Sequence, residues 1–173
     1  MSIIPQHKLI RLEVYKEKYG NAGSAKNHIA IIEMAIKNNW KNCLIFEDDA
    51  MWRHFNNGYT ILEKLVKKPY DVIMIGSHSN VIDPITYKLI KGVALHAYLV
   101  SNHYYETLLK NYKEGLEKLE ADPNSYTENN VDMYISHLQC KDNWFGITPS
   151  LCIQRASFSD TEGRFTNYEH MYV

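Results

Sequence analysis

The stretch Leu44-Ile45-Phe46-Glu47-Asp48-Asp49 joins an apolar run to three consecutive carboxylates. This pattern is typical of a buried strand that delivers acids to the edge of a sheet. In an extended chain Glu47 and Asp49 face one side and Asp48 faces the other. Crowded carboxylates repel one another unless a hard cation or a ligand neutralises them, and Mg²⁺ and Mn²⁺ prefer oxygen ligands. The stretch therefore indicates a divalent cation site, with a solvated acidic turn as the alternative.

The composition limits the class of protein and its partners. A length of 173 residues with 45% hydrophobic and 12% aromatic content suits one domain over residues 1–173. Lys+Arg 19 against Asp+Glu 20 gives no basic field, which argues against nucleic acid as a partner. Three widely spaced cysteines without a CxxC pair predict reduced thiols. Because the sequence shows no signal peptide and no transmembrane run, we expect a soluble, cytoplasmic protein.

The residues on either side of the acids predict alternating helices and strands. Gly20–Gly23 breaks the chain, and Ser24 can cap a helix. The apolar residues of that helix fall on one face: Ala25, Ile29, Ile32 and Ile36. After the acids, a helix of about ten residues ends at Pro69. A second buried strand over residues 71–75 then leaves the sheet at Gly76. A strand, a helix and a strand joined by short connections imply a parallel pair.

The second half of the chain adds shorter elements. Lys91-Gly92 separates two apolar runs and predicts a hairpin or strand pair. A short helix and two short strands follow, at residues 131–135, 144–147 and 150–153. By composition the polar tail, residues 154–164, is a loop. The fold class predicted from these patterns is α/β, with a mixed sheet flanked by helices.

Two further residues are candidates for the site, each with a structural alternative. His28 lies in the first turn of the predicted helix, where free N–H groups favour anions such as a diphosphate. It can equally be a histidine packed at the edge of the apolar face. Asp132 lies in the first turn of the later short helix, where any acid stabilises the helix start.

Five separated stretches, in order, resemble glycosyltransferase family 25, which includes bacterial lipopolysaccharide sugar transferases and collagen galactosyltransferases. Residues 23–28 resemble the family's Gly-Cys-x-x-Ser-His helix start, and residues 44–49 resemble its Leu-Ile-Leu-Glu-Asp-Asp strand. The remaining matches are Ala-Tyr-Leu-Val-Ser at 97–101, Val-Asp at 131–132, and Gln154 with Ser-Phe-Ser-Asp at 157–160. The resemblance covers about residues 20–164.

This resemblance implies a GT-A-like fold for nucleotide-diphospho-sugar transfer, with a mainly parallel sheet and a UDP-sugar as the expected donor. Glu47 and Asp49 would bind Mn²⁺ or Mg²⁺, and Asp132 would be the base for a hydroxyl of a glycan or protein acceptor, with inversion. The implied donor contacts are His28, Glu47, Asp48, Ser159 and Asp160. A metal-dependent phosphoesterase is a weaker reading of the carboxylates alone.

One departure from the family concerns the N-terminus. Family members usually begin with a Val-Ile-Asn-Leu-like strand that helps to form the nucleotide pocket, and no such run precedes Gly20. Three alternatives follow. Residues 1–19 supply a divergent substitute, another chain or domain completes the pocket, or the chain is an inactive sugar-nucleotide-binding or protein-interaction module. The resemblance therefore implies an N-terminally shortened fold.

Overall fold

The computed structural model describes residues 8–13, 17, 20–53, 56–159 and 162–172. The helices are α1 (Gly20–Lys37), α2 (Asn56–Leu65), α3 (Tyr105–Ala121), α4 (Tyr126–Asn129), α5 (Val131–Tyr134) and α6 (Ser136–Gln139). The strands are β1 (Asn42–Phe46), β2 (Ala50–Trp52), β3 (Val72–Ile82), β4 (Leu89–Ser101), β5 (Trp144–Gly146), β6 (Cys152–Gln154), β7 (Ser157–Ser159) and β8 (Arg164–Thr166). The α/β class is confirmed, as are the helix before Pro69 and the strand at 144–147.

The central sheet has the order β1-β4-β3-β5 in the described part of the chain. β4 is antiparallel to both β1 and β3, and β5 is parallel to β3. The prediction of a mainly parallel sheet is therefore wrong: the sheet is mixed and mostly antiparallel. β1 and β3 do run in the same direction, but β4 lies between them, so they are not the adjacent parallel pair expected from the strand–helix–strand pattern.

β4 is one long strand, Leu89–Ser101, without the predicted turn at Lys91-Gly92. The buried side chain of Gln139 accepts a bond from Gly92 N and donates one to Gly92 O, each at 2.9 Å. This amide satisfies the backbone as a neighbouring strand would, so the chain continues through the glycine. β3 is likewise longer than predicted and passes through Gly76 with irregular register.

The sheet carries a hydrophobic core on each face. Val72 and Met74 of β3 join the core beneath α1 and α3, whereas Ile73 and Ile75 join the core beneath α2. These four side chains are at most 1% exposed. The period of two along a buried strand thus builds three layers, with helices on both faces of the sheet.

Helix α1 begins at Gly20, four residues before the predicted cap at Ser24. Ala22, Gly23 and Ala25 are buried, so the small residues of this segment belong to the packed face of the helix. His28 therefore lies well inside the helix, where its neighbours' N–H groups are already bonded. The prediction that His28 meets a diphosphate in a first turn is wrong in its placement.

The tail is more ordered than its composition indicates. β2 pairs with β6, which places Ala50 opposite Gln154. β7 and β8 form an antiparallel hairpin. Before α1, the described residues 8–13 and 17 form no strand. No helix in the described part of the chain is long and apolar enough to cross a membrane.

Candidate functional site

The three acids form a turn directly after β1. Glu47 N donates to His96 O at 2.9 Å, which continues the β1–β4 ladder by one bond. Ala50 N then donates to Glu47 O at 3.1 Å and closes the turn. The carboxylates are thus presented by a tight turn between two strands, and not by the extended segment that the sequence predicted.

Gln154 brings two of the carboxylates together. Its Nε2 lies 3.4 Å from Glu47 Oε2 and 3.4 Å from Asp49 Oδ2. Its Oε1 accepts a hydrogen bond from the Tyr172 hydroxyl at 3.1 Å. An amide group that donates to two carboxylates fixes both in one place. The predicted convergence of Glu47 and Asp49 is therefore present, although a side chain from β6 produces it.

Glu47 is held in its charged form by His28. His28 Nε2 lies 3.5 Å from Glu47 Oε1, and the histidine is only 3% exposed. Burial acts to raise the pKa of Glu47, but the hydrogen bond from His28, with a smaller contribution from Gln154, brings that pKa below its ordinary value. His28 thus contacts a carboxylate of the site.

His28 is itself oriented by two buried tyrosines. The Tyr112 hydroxyl donates to Tyr98 Oη at 3.1 Å, and Tyr98 Oη lies 2.7 Å from His28 Nδ1. Because Tyr98 already accepts from Tyr112, its own proton is available to Nδ1. A neutral His28 then carries its proton on Nε2, facing Glu47. The hydrogen-bonded series of Tyr112, Tyr98 and His28, which lie on α3, β4 and α1, therefore fixes the position of Glu47.

Asp49 has the opposite electrostatic character. Burial, followed by the charges of Glu47 and Asp48, raises its pKa from 3.8 to about 6. Its Oδ1 is buried and has no hydrogen-bond partner among the described residues. An unsatisfied buried acceptor costs free energy unless another group contacts it. A cation would relieve both this cost and the repulsion from Glu47.

Asp132 lies in the first turn of α5, as predicted. Its Oδ2 accepts a 3.3 Å bond from Ala94 N, whereas its Oδ1 is buried without a partner among the described residues. Ala94 has a φ of 69°, the left-handed region that strains an L-residue. Burial and then the charge of Glu47, opposed by the bond from Ala94, raise the pKa of Asp132. Asp132 is therefore close enough to Glu47 for the Glu47 charge to affect its pKa.

The oxygen atoms fit a hard divalent cation that is shared with a ligand. Glu47 and Asp49 offer carboxylate oxygens, and Asp49 Oδ1 has no other partner in the described part of the chain. No group of three His, Cys, Asp or Glu side chains able to hold a metal is present among the described residues. Mg²⁺ usually takes one or two carboxylates, with water and substrate phosphates completing the shell. Two carboxylates are therefore a suitable number for an ion that also binds a diphosphate.

Of the other predicted donor contacts, the structure describes Asp48 and Ser159, and neither is hydrogen-bonded through its side chain to Glu47 or Asp49. The Asp48 side chain is exposed, and its carbonyl lies 3.5 Å from Arg155 Nη2. Ser159 Oγ accepts from Glu162 N at 3.2 Å, within the β7–β8 hairpin. Asp160 lies outside the described residues. Donor contacts by Asp48, Ser159 and Asp160 remain predictions.

Sequence reasoning missed how the site is held. Gln154 belongs to the family pattern, but the sequence predicts no role for it. Tyr98 and Tyr112 resemble ordinary core residues, and their partners are distant in sequence. Tyr172 follows the polar tail, residues 154–164, in the sequence. Pairing of Ala50 with Gln154 is a long-range contact that only the folded structure shows.

A third carboxylate, introduced at Gln154, tests whether negative charges at this site repel one another and attract a cation. We expect Gln154→Glu to destabilise the metal-free protein by about 1–4 kcal/mol at pH 8, because it adds a like charge beside Glu47 and Asp49. We also expect Mn²⁺ to raise the thermal midpoint of this variant more than that of the parent. Gln154→Met, which is similar in size and uncharged, is the control. If Mn²⁺ raised the thermal midpoints of Gln154→Glu and Gln154→Met equally, the prediction of a cation site here would be contradicted.

Comparison with known proteins adds no relative. No family model matches the chain, and no curated protein shows a significant match to it. The resemblance to glycosyltransferase family 25 thus remains a prediction based on its motifs.

Proposed function

We propose that this chain is a metal-dependent glycosyltransferase of GT-A type that uses a nucleotide-sugar donor, with UDP-sugars as the first candidates. The acceptor is a hydroxyl group of a glycan or protein. The observation that carries the proposal is the pair Glu47 and Asp49, which converge on Gln154 while one oxygen of Asp49 has no partner in the described structure. The ordered family motifs supply the reaction class.

Each residue of the site has a distinct part in this proposal. Glu47 and Asp49 would hold Mn²⁺ or Mg²⁺, which neutralises the charge of a diphosphate leaving group. His28 orients Glu47 and keeps it ionised. Asp132 accepts the proton of the acceptor hydroxyl, and a raised pKa suits a base that works near neutral pH. Attack on the donor from the side of Asp132 gives inversion.

A binding module without catalysis is the second candidate. The observation that favours it is the region before α1, where residues 8–13 and 17 form no strand. In this reading the fold binds a nucleotide-sugar or a partner protein, and no sugar is transferred. The same carboxylates would serve binding alone.

One assay separates these possibilities. The protein is incubated with Mn²⁺ and a panel of UDP-sugars, and released UDP is measured beside titration calorimetry with UDP. We expect slow UDP release from at least one donor, and its loss in EDTA and in Glu47→Gln. Binding without release favours the module, whereas release of phosphate from simple esters favours a phosphoesterase. Absence of Mn²⁺-dependent UDP binding would contradict the proposal.

A further inference from the structure

A second group of reactive side chains lies at the other end of β1 and β4. Ala97 pairs with Phe46, next to the acidic turn, whereas Ser101 pairs with Asn42 at the start of β1. Four residues of extended chain separate Ala97 from Ser101, which is about 13 Å. Ser101 and its neighbours therefore form a cluster distinct from the carboxylate site.

Ser101, His103 and Asp71 form a continuous hydrogen-bonded series. Ser101 Oγ lies 2.9 Å from His103 Nδ1, and His103 Nε2 lies 2.6 Å from Asp71 Oδ1. An ionised carboxylate can only accept, so Nε2 carries the proton and Nδ1 of the neutral ring is the acceptor. The Ser101 hydroxyl consequently donates to Nδ1. This is the arrangement of a nucleophile, a base and a residue that orients the base.

The burial of the three residues follows the same division of roles. Asp71 is buried, and Asn143 N fixes it by donating to Oδ2 at 2.8 Å. Ser101 N also donates to Asp71 O at 3.0 Å, so strand pairing holds the serine beside the aspartate. The His103 side chain is 57% exposed and Ser101 is half-buried. The orienting carboxylate is thus fixed in the interior, and the reacting atoms can be reached from solvent.

Backbone donors lie next to the serine. A 3-10 turn, Asn102–Tyr104, follows Ser101 and leads directly into α3. Asn102 N already donates to Lys41 O at 3.0 Å, and the Ser101 side chain makes no capping bond to the N–H groups that follow it. Such N–H groups can stabilise the negative oxygen that forms during attack on a carbonyl.

We propose that Ser101 is a nucleophile that hydrolyses carboxylic esters, with His103 as its base and Asp71 as the positioning residue. Ser101 Oγ bonds to the ester carbonyl carbon while its proton passes to His103 Nδ1. The carbon–oxygen bond to the alcohol breaks, and the alcohol leaves with that proton. Water, deprotonated by the same nitrogen, then attacks the acyl group, and Ser101 recovers a proton as the carboxylic acid leaves. Triads are recognised by geometry and roles rather than by residue order.

The test is covalent labelling of the full chain with a fluorophosphonate, which bonds to an activated serine and releases fluoride. The modified residue is located by peptide mass spectrometry, and hydrolysis of p-nitrophenyl acetate is measured in parallel. We expect the label on Ser101 and its loss in Ser101→Ala. In His103→Gln we expect the labelling rate to fall by at least roughly 100-fold. Because His103 is exposed, this variant should keep its fold.

Two controls make the result specific. Ser136→Ala removes a half-buried serine of α6 and should label at the parent rate. Glu63→Gln, which removes an exposed acid of α2, should also label at the parent rate. The ester hydrolysis uses no residue of the carboxylate site, so failure of one proposal does not affect the other. The proposal is overturned if Ser101 of the parent protein carries no label, or if His103→Gln labels as fast as the parent.

Discussion

Asp49→Asn is expected to abolish Mn²⁺-dependent UDP binding and, at the same time, to stabilise the metal-free protein. Loss of a residue that only supports a metal ligand typically lowers metal affinity roughly 10- to 100-fold. Loss of Asp49, a proposed direct ligand, should lower the affinity further. The stabilisation has its origin in the pKa of about 6 at Asp49, against an ordinary value of 3.8. The native state holds this proton more tightly than the unfolded chain does.

The sign of the pH dependence follows from that difference. Stability of the parent falls as pH rises from about 4 through about 6, because the folded site then loses its proton at a cost. Asparagine avoids this cost, so we expect the variant to be about 1–3 kcal/mol more stable at pH 8 and equal to the parent near pH 3. Calorimetry with Mn²⁺ and UDP, and thermal unfolding at both pH values, check the two effects.

Glu63→Gln is the matched control, since it removes one exposed acid of α2. It should change neither Mn²⁺-dependent UDP binding nor the pH dependence of unfolding. Unchanged binding in Asp49→Asn would mean that the acids form only a solvated turn. A fall in its thermal midpoint at pH 8 would show that Asp49 is not strained by its neighbours.

Asp132→Asn is expected to lower the rate of sugar transfer roughly 100- to 10,000-fold while leaving UDP and Mn²⁺ affinities nearly unchanged. Asparagine keeps an oxygen that can accept from Ala94 N, but it cannot take a proton from an acceptor hydroxyl. Because burial raises the pKa of Asp132, the neutral amide should not destabilise the fold at pH 7. Single-turnover transfer and nucleotide titration measure the two quantities separately.

A purely structural role for Asp132 predicts a different result. An acid in the first turn of a helix contributes up to about 1 kcal/mol of stability, and its loss leaves the rate per folded molecule intact. Glu128→Gln, which removes the acid from the first turn of α4, is the control for that effect. Equal transfer rates of Asp132→Asn and the parent with a genuine acceptor would eliminate the base assignment.

The strands and helices were predictable where one pattern acts locally. The apolar run before Glu47 gave β1, and the periodic segment before Pro69 gave α2, because burial on one face leaves its mark in the sequence. Neighbours in the sheet were not predictable in this way. The bonds between Gln139 and Gly92 join residues 47 positions apart, and they turn an apparent break into the middle of β4. Local propensity at a glycine cannot reveal such a partner.

The acidic residues of the site could be predicted from the sequence, but the residues that hold them in place could not. Like charges at the end of an apolar run are conspicuous, so Glu47 and Asp49 could be paired from sequence. Gln154 and His28 became partners of these acids only through packing of β6 and α1 against the acidic turn. The helix that carries His28 begins four residues earlier than predicted, because buried small residues extend α1 toward its N-terminus. Tertiary contacts there outweigh the glycine's weak helix propensity.

The amide of Gln154 also acts as an internal competitor. Its hydrogens occupy the space between Glu47 and Asp49, so an ion that contacts both carboxylates must first break two donated bonds of 3.4 Å. The affinity for an added divalent cation would then be lower than the carboxylates alone would give, by the free energy of displacing that amide. Tyr172, the last residue that the structure describes, holds the amide oxygen at 3.1 Å. Through this hydrogen bond, the C-terminal end of the described chain would influence how readily the two carboxylates take up an added cation.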